Sequence, residues 1–316
     1  MKRFFAIAVT LAAFAMPVSA TTITDVFTSF YSFGDSLTDD GKFVILEPPS
    51  FDGRFTTGLT WSEYIEEDFE DVGADTRNYA LGGATASPTN PLNPVGPLGT
   101  LEKQISAFTL ELLAPLRDPG ANPLVSLWFG ANDVFTGQSA SAAADFVADG
   151  VRAIADLGVS AGTTFDDFLL TFLPSIPGFP GAAEVFNTQL ALNITGLTND
   201  GFNIITYDPQ DAADAIIADA LFNGSQEYGI TELIEPCAIS FTDGDLSSCL
   251  DDGKDPDTFF FADSVHPTAP VHLLTSQQVT ATIEASLSAV PLPAGLPLLF
   301  VGVGALGVMR FRRRAA

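Results

Sequence analysis

Histidine and cysteine are scarce in this chain, with two of each among 316 residues. A zinc centre built from imidazole and thiolate has too little to draw on, because such sites take three or four ligands. Neither His266 nor His272 sits in a ligand-rich motif. Cys237 and Cys249 have no base close by in sequence, so the expectation is a local disulfide stapling a loop, not a cysteine nucleophile. Basic charge is thin as well: 13 Lys and Arg stand against 39 Asp and Glu, for a net charge of −26. Between Asp25 and Glu284, where every acidic residue lies, the basic residues are Lys42, Arg54, Arg77, Lys103, Arg117, Arg152 and Lys254 alone. Such a surface repels nucleic acid and other anionic polymers. The acidic stretch Thr242–Asp257 lacks the twelve-residue spacing of an EF-hand; a solvated, disulfide-tied loop is the preferred reading, with a calcium site as the alternative.

Long apolar runs are confined to the two ends. Lys2 and Arg3 precede the apolar stretch Phe4–Met16, and Val18-Ser19-Ala20 closes it with small residues. That pattern is a secretory signal peptide over residues 1–20. At the other end, Leu298–Met309 is wholly apolar or glycine, and Ala294–Phe311 holds one charge, Arg310, in 18 residues. This is a marginal transmembrane length, and Arg310, Arg312, Arg313 and Arg314 are placed to stay cytoplasmic. Val290-Pro291-Leu292-Pro293-Ala294, ahead of that stretch, resembles the VPLPA-type sorting signals of Gram-negative bacteria, which are related to the PEP-CTERM class. The resemblance implies export, transient membrane association over residues 290–316, and processing by a sorting protease. Residues 21–289 remain as one large domain.

Within that domain, apolar runs alternate with helical periodicity. Tyr31-Ser32-Phe33 reads as a first strand, and Gly34-Asp35-Ser36 sits where it gives way to a turn. Leu59–Phe69 has helical spacing, with Trp61, either Tyr64 or Ile65, and Phe69 on one face. Arg54 is read as a structural ion-pair partner. Asn78–Ala86 looks like a strand leading into a glycine turn, and Ser87–Gly99 like an irregular wall before a helix over Leu101–Leu116. Leu124–Phe129 fits a central, doubly covered strand, with Asn132 just past its end. Further strands are expected over Thr164–Leu173, Phe202–Tyr207 and Phe259–Ala262. Helices are expected over Ser139–Leu157, Ala182–Leu197, Pro209–Leu221 and His272–Leu287. This alternation predicts an α/β fold with a parallel sheet covered on both faces. His272 is read as structural.

Strand ends therefore carry Ser36, the Gly82-Gly83 pair, Asn132, and Asp263 with His266. Together these are the parts of covalent acyl transfer: nucleophile, oxyanion donors, and a base with its orienting acid. The G-x-S-x-G elbow of α/β-hydrolases is absent. The chain resembles the SGNH hydrolases of the GDSL lipase/esterase family over roughly Thr28–Leu287. Phe33-Gly34-Asp35-Ser36-Leu37 matches the first block, Gly83 in Leu81-Gly82-Gly83-Ala84 the second, Asn132 the third, and Asp263 with His266 the final D-x-x-H block. Gly53–Ile65 is also similar to a lipase-like branch that includes plant GDSL lipases and bacterial autotransporter esterases.

The resemblance implies a three-layer α/β/α sandwich of flavodoxin-like topology. It implies a Ser36–His266–Asp263 triad, and an oxyanion hole from the backbone N–H groups of Ser36 and Gly83 with the Asn132 amide. It requires no metal or organic cofactor. The expected activity is hydrolysis of carboxylic or lipid esters through an acyl-enzyme on Ser36. Polysaccharide O-acetyl esterase, phospholipase and acyltransferase activities are alternatives within the family. A noncatalytic surface or matrix-binding protein and a metal-dependent hydrolase are alternatives outside it. Loops such as Ser87–Gly99 and Pro174–Gly181 are expected to shape the acyl pocket.

Overall fold

A computed structural model describes residues 21–42, 46–93, 96–176, 178–241 and 249–288. The signal peptide and the C-terminal sorting segment expected from sequence lie outside the described residues. The elements run α1 (Ile23–Val26), β1 (Ser29–Gly34), α2 (Trp61–Asp71), β2 (Asp75–Asn78), α3 (Leu101–Leu113), β3 (Pro123–Trp128), α4 (Ala131–Phe135), α5 (Ala140–Ala161), β4 (Asp167–Thr171), α6 (Ala182–Asp200), β5 (Asn203–Tyr207), α7 (Gln210–Phe222) and α8 (Ala269–Ser288). The sheet order is β2-β1-β3-β4-β5, and every neighbouring pair is parallel. This is the doubly wound flavodoxin-like order, whose switch point lies between β1 and β3.

The central strands β1 and β3 are buried along their whole length, which is why they read as near-continuous apolar runs. Side chains alternate between the two faces of β1. Tyr31 and Phe33 meet Phe108 of α3 with ring centroids 4.8 and 5.6 Å apart. From the opposite face, Phe30 stacks on Phe69 of α2 at 5.8 Å. Helices α2, α7 and α8 pack together on this second side, and α3, α5 and α6 on the first. The result is a three-layer α/β/α sandwich.

Helix α2 starts where sequence chemistry places it. The Thr60 backbone N–H donates to the Glu63 carboxylate at 2.9 Å, which satisfies a donor at the helix start. Trp61, Ile65 and Phe69 then bury one face. Arg54 grips the same Glu63 through Nε and Nη2 at 2.8 and 2.6 Å, so its role is structural, as expected.

Three expectations are corrected. The second strand lies upstream of its expected place, over the polar run Asp75–Asn78. It is an edge strand, where charged side chains keep contact with solvent and no apolar run is needed. Phe259–Ala262 adds no strand to the sheet. It makes isolated bridges, Phe259 with Glu232 and Phe261 with Pro267, and its backbone is tied to the irregular segment that holds Cys237. The transmembrane helix is the third correction. No helix among the described residues is long and apolar enough to cross a membrane. The long helix α5 carries Asp145, Asp149 and Arg152, and α8 carries Gln277, Gln278 and Glu284, as helices packed on a sheet do. The Ala294–Phe311 stretch itself lies outside the described residues.

Candidate active site

Ser36 lies in the turn directly after β1. Gly34 lets the chain pass closely here: a Cβ would stand 2.8 Å from Thr38 Oγ1, nearer than Cβ atoms come, and in a tight 3.1 Å contact with the Trp128 carbonyl. Gln104 of α3 fixes the same residue from both sides. It accepts the Gly34 N–H at 3.0 Å and donates to the Gly34 carbonyl at 2.8 Å. The nucleophile candidate thus stands on a turn whose backbone is pinned at the strand end.

His266 reaches Ser36 from the far side of the chain. Its Nε2 lies 2.7 Å from Ser36 Oγ, and its Nδ1 lies 2.9 Å from each Asp263 carboxylate oxygen. An ionised carboxylate only accepts, so Nδ1 carries the proton and Nε2 is free to accept from the serine hydroxyl. Burial alone would raise the Asp263 pKa. Hydrogen bonding and charge from His266, with the backbone N–H groups of Val265 and His266 at 2.9 and 2.8 Å, outweigh it and hold the carboxyl below its ordinary value. Phe55 and Phe241 cover the imidazole with ring centroids 5.0 and 6.2 Å away.

Ser36, Gly83, Asn132 and His266 line one cavity of about 250 Å³, together with Phe55, Phe135 and Ile176. Gly83 takes φ +77°, a left-handed conformation that glycine adopts without penalty. Among the described residues, no protein acceptor takes the backbone N–H of Ser36 or of Gly83. Asn132 donates one amide hydrogen to the Ala84 carbonyl at 3.0 Å, which orients the side chain and leaves its second N–H for the cavity. These donors are the kind of preorganised dipoles that stabilise a developing oxyanion.

Buried carboxylates outside the triad hold this segment in place. Asp39 accepts the Gly82 N–H at 2.7 Å. Asp133 accepts the N–H groups of Ala86 and Ser87, both at 2.9 Å. Asn90 donates to the Gly83 carbonyl at 2.8 Å. Asp39, Asp133 and Gln104 belong to none of the catalytic blocks. Asp39 and Asp133 adjoin recognised motifs, whereas Gln104 gives no signal beyond its helical position. Asp35 lines the cavity too, and burial pushes its carboxyl up to about 7 against the pull of the Leu37 N–H and of His266.

Other expected site features fall into place or move away. Cys237 and Cys249 are joined in a disulfide. His272 is buried in α8, where Nδ1 accepts the Trp61 N–H at 3.3 Å, and it takes no part in the triad geometry. Pro174, Ser175 and Ile176 line the catalytic cavity, but no described residue of Ser87–Gly99 does. That wall packs over the Gly83 turn instead. Among the described residues, no cluster of three or more His, Cys, Asp or Glu side chains is arranged to hold a metal ion.

The chain is 26% identical over 342 residues to a phosphatidylcholine-sterol acyltransferase of Aeromonas hydrophila, covering 90% of this chain and 98% of the relative. It also aligns with Est24, a carbohydrate acetylesterase of Sinorhizobium meliloti, at 15% identity and a TM-score of 0.48, over 81% of this chain and 98% of that one. An aryl esterase of M. smegmatis aligns at 17% identity and a TM-score of 0.43, over 82% and 99%. The family model for GDSL-like lipase/acylhydrolase matches residues 30–279, which include every residue placed in the site. The chain belongs to the GDSL-like lipase/acylhydrolase family, and its activity is that family's esterase–lipase type hydrolysis of carboxylic esters.

Proposed function

We propose that the protein is an exported serine esterase that works through an acyl-enzyme on Ser36. The observation that carries this reading is the continuous chain Asp263–His266–Ser36, with contacts of 2.9 and 2.7 Å, opening into one cavity with Gly83 and Asn132. His266 Nε2 takes the hydroxyl proton as Ser36 Oγ attacks the ester carbonyl. Asp263 keeps the imidazole in the required tautomer and stabilises its positive form. The tetrahedral oxyanion sits between the backbone N–H groups of Ser36 and Gly83 and the Asn132 amide. Protonated His266 then gives its proton to the departing alcohol. Water, activated by the same histidine, releases the acid and restores Ser36.

The Ser36→Ala variant is expected to fold as the wild type does and to lose hydrolysis of p-nitrophenyl esters, a fall on the order of 10⁶-fold in kcat. Undiminished turnover by the folded variant would remove Ser36 from the mechanism. A second reading is acyl transfer to an alcohol in place of water, favoured by the 26% identity to an acyltransferase over nearly its whole length. It uses the same acyl-enzyme and differs only in what accepts the acyl group. Added alcohol that diverts product from free acid to new ester would establish it.

The ends of the chain support export. Residues 1–20 carry the pattern of a cleaved signal peptide, residues 21–289 form the hydrolase domain, and residues 290–316 carry the VPLPA-type sorting signal of a Gram-negative envelope protein. The protein recovered from its native host is therefore expected to begin at Thr21 and to end near Ala294. An intact mass that retains residues 1–20 or the terminal arginines would count against this processing.

A further inference from the structure

A second cavity, also of about 250 Å³, lies beside the catalytic one. Its walls come from Trp128 at the end of β3, Ala213 and Ile217 on α7, Phe260 in the bridged loop, and Val271 and Thr275 on α8. Leu37, Pro174, Ser175 and Val265 line both cavities. Leu37 directly follows Ser36, and Val265 directly precedes His266, so the shared boundary stands against the reacting groups themselves. The cavity opens to solvent beside the exposed Ile217, and its mostly apolar wall gives water few partners.

The wall is uncharged and mostly apolar, with Ser175, Gln210, His272 and Thr275 as its polar side chains. His272 is its one ionisable side chain among the described residues. Burial first, and then the neighbouring His266, push its pKa down to about 3, so it is neutral wherever an esterase works. Unlike the catalytic cavity, this one has no group placed to take part in chemistry. What it offers is hydrocarbon contact next to the scissile bond.

We infer that this second cavity houses an alkyl chain of the ester substrate, entering past Leu37 and Val265. The inference rests on the esterase reading above and narrows its substrate class to esters with a medium-length chain. At about 250 Å³ the cavity has room for a chain of several methylenes and not merely for an acetyl group. The chain belongs either to the acyl group or to the alcohol. Both present the same chemistry to the wall, and separate substrate series distinguish them.

The test measures kcat/KM for the mature domain on p-nitrophenyl esters from acetate to palmitate, and on acetate esters of alcohols from ethanol to decanol. In the responsive series, each methylene that leaves water is expected to raise kcat/KM by up to about fourfold, levelling off once the chain fills the cavity. Ala213→Phe fills the cavity from a half-buried position on α7 and is expected to cut kcat/KM on the eight-carbon ester by tenfold or more. Ethyl acetate and p-nitrophenyl acetate should change less than about twofold, which also reports an intact fold and triad. Ile217→Asp, at a position 39% exposed, should act in the same direction without disturbing the interior. A response in the acyl series assigns the cavity to the acyl chain, and one in the alcohol series to the alcohol. Wild-type preference for the shortest esters in both series would overturn the inference while leaving the serine mechanism standing. So would chain-length profiles that neither variant alters. Absence of hydrolysis on every ester would instead remove the esterase reading and this inference with it.

Discussion

Ser36 and Asn132 directly follow central strands, in the turn after β1 and in the short helix α4 after β3, whereas Asp263 and His266 hang from a bridged loop that no strand continues. The first pair inherits its position from β1 and β3, which are buried on both faces and hydrogen-bonded to neighbours along their length. Small displacements there disturb the core of the sandwich. The second pair depends on local ties. Ala262 donates to the His266 carbonyl at 2.8 Å, and Cys237 and Ala238 donate to Phe261 and Ala262, both at 2.9 Å. The contrast implies a division of labour. Nucleophile and oxyanion donors are set by the sheet, and the base is set by a strap that can loosen without unfolding it.

The sheet side has one weak point by this argument, the segment from Gly82 to Ser87, which leaves the sheet after β2 and is held by side chains. Asp133 is the positioning residue there, because its two oxygens each take a backbone N–H. Asn at that position offers a single acceptor and turns an NH₂ group towards the second donor. Asp133→Asn is therefore expected to lower kcat by about ten- to a hundredfold, below the loss from deleting an oxyanion donor outright, while KM changes little. The split between kcat and KM distinguishes this from general destabilisation. An unchanged kcat would show that the Gly83–Asn132 geometry is set by the strands alone, which would sharpen the contrast in the sheet's favour.

Legibility from sequence follows the same division. Strands β1 and β3 were readable because burial on both faces demands unbroken apolar runs, and those runs point straight at Ser36 and Asn132. The edge strand β2 leaves no such mark, because its polar side chains meet solvent and Asp75–Asn78 has no apolar signature. Phe259–Ala262 erred in the other direction. Its apolar side chains face the bridged loop and the second cavity, and apolarity reports burial without reporting sheet pairing. Asp263 and His266 were found by motif, not by periodicity. The second cavity was invisible because its walls gather from residues as far apart as Leu37 and Thr275, and no local pattern encodes such an assembly.

The smallest effect on turnover is expected from the disulfide, and it probes the loop side directly. Cys237 is bonded to Cys249 and donates its backbone N–H to Phe261, two residues before Asp263. Removing the crosslink frees the denatured chain to explore more conformations, which for a loop of this length costs about 3 kcal/mol of stability in the chain-entropy account. The backbone ties from residues 237 and 238 to 261 and 262 are still available in the folded state, so His266 keeps its approach to Ser36. The Cys237→Ser/Cys249→Ser double variant should thus show a clearly lower Tm, with kcat at low temperature within about threefold of wild type. Activity should then fall off at a lower temperature than the loss of far-ultraviolet dichroism from the sandwich, because the strap opens before the sheet does. Coincident loss of activity and dichroism would mean that the strap and the sheet unfold as one cooperative unit, and the division of labour would collapse. A large loss of kcat at low temperature would carry the opposite lesson, that the crosslink itself positions the base.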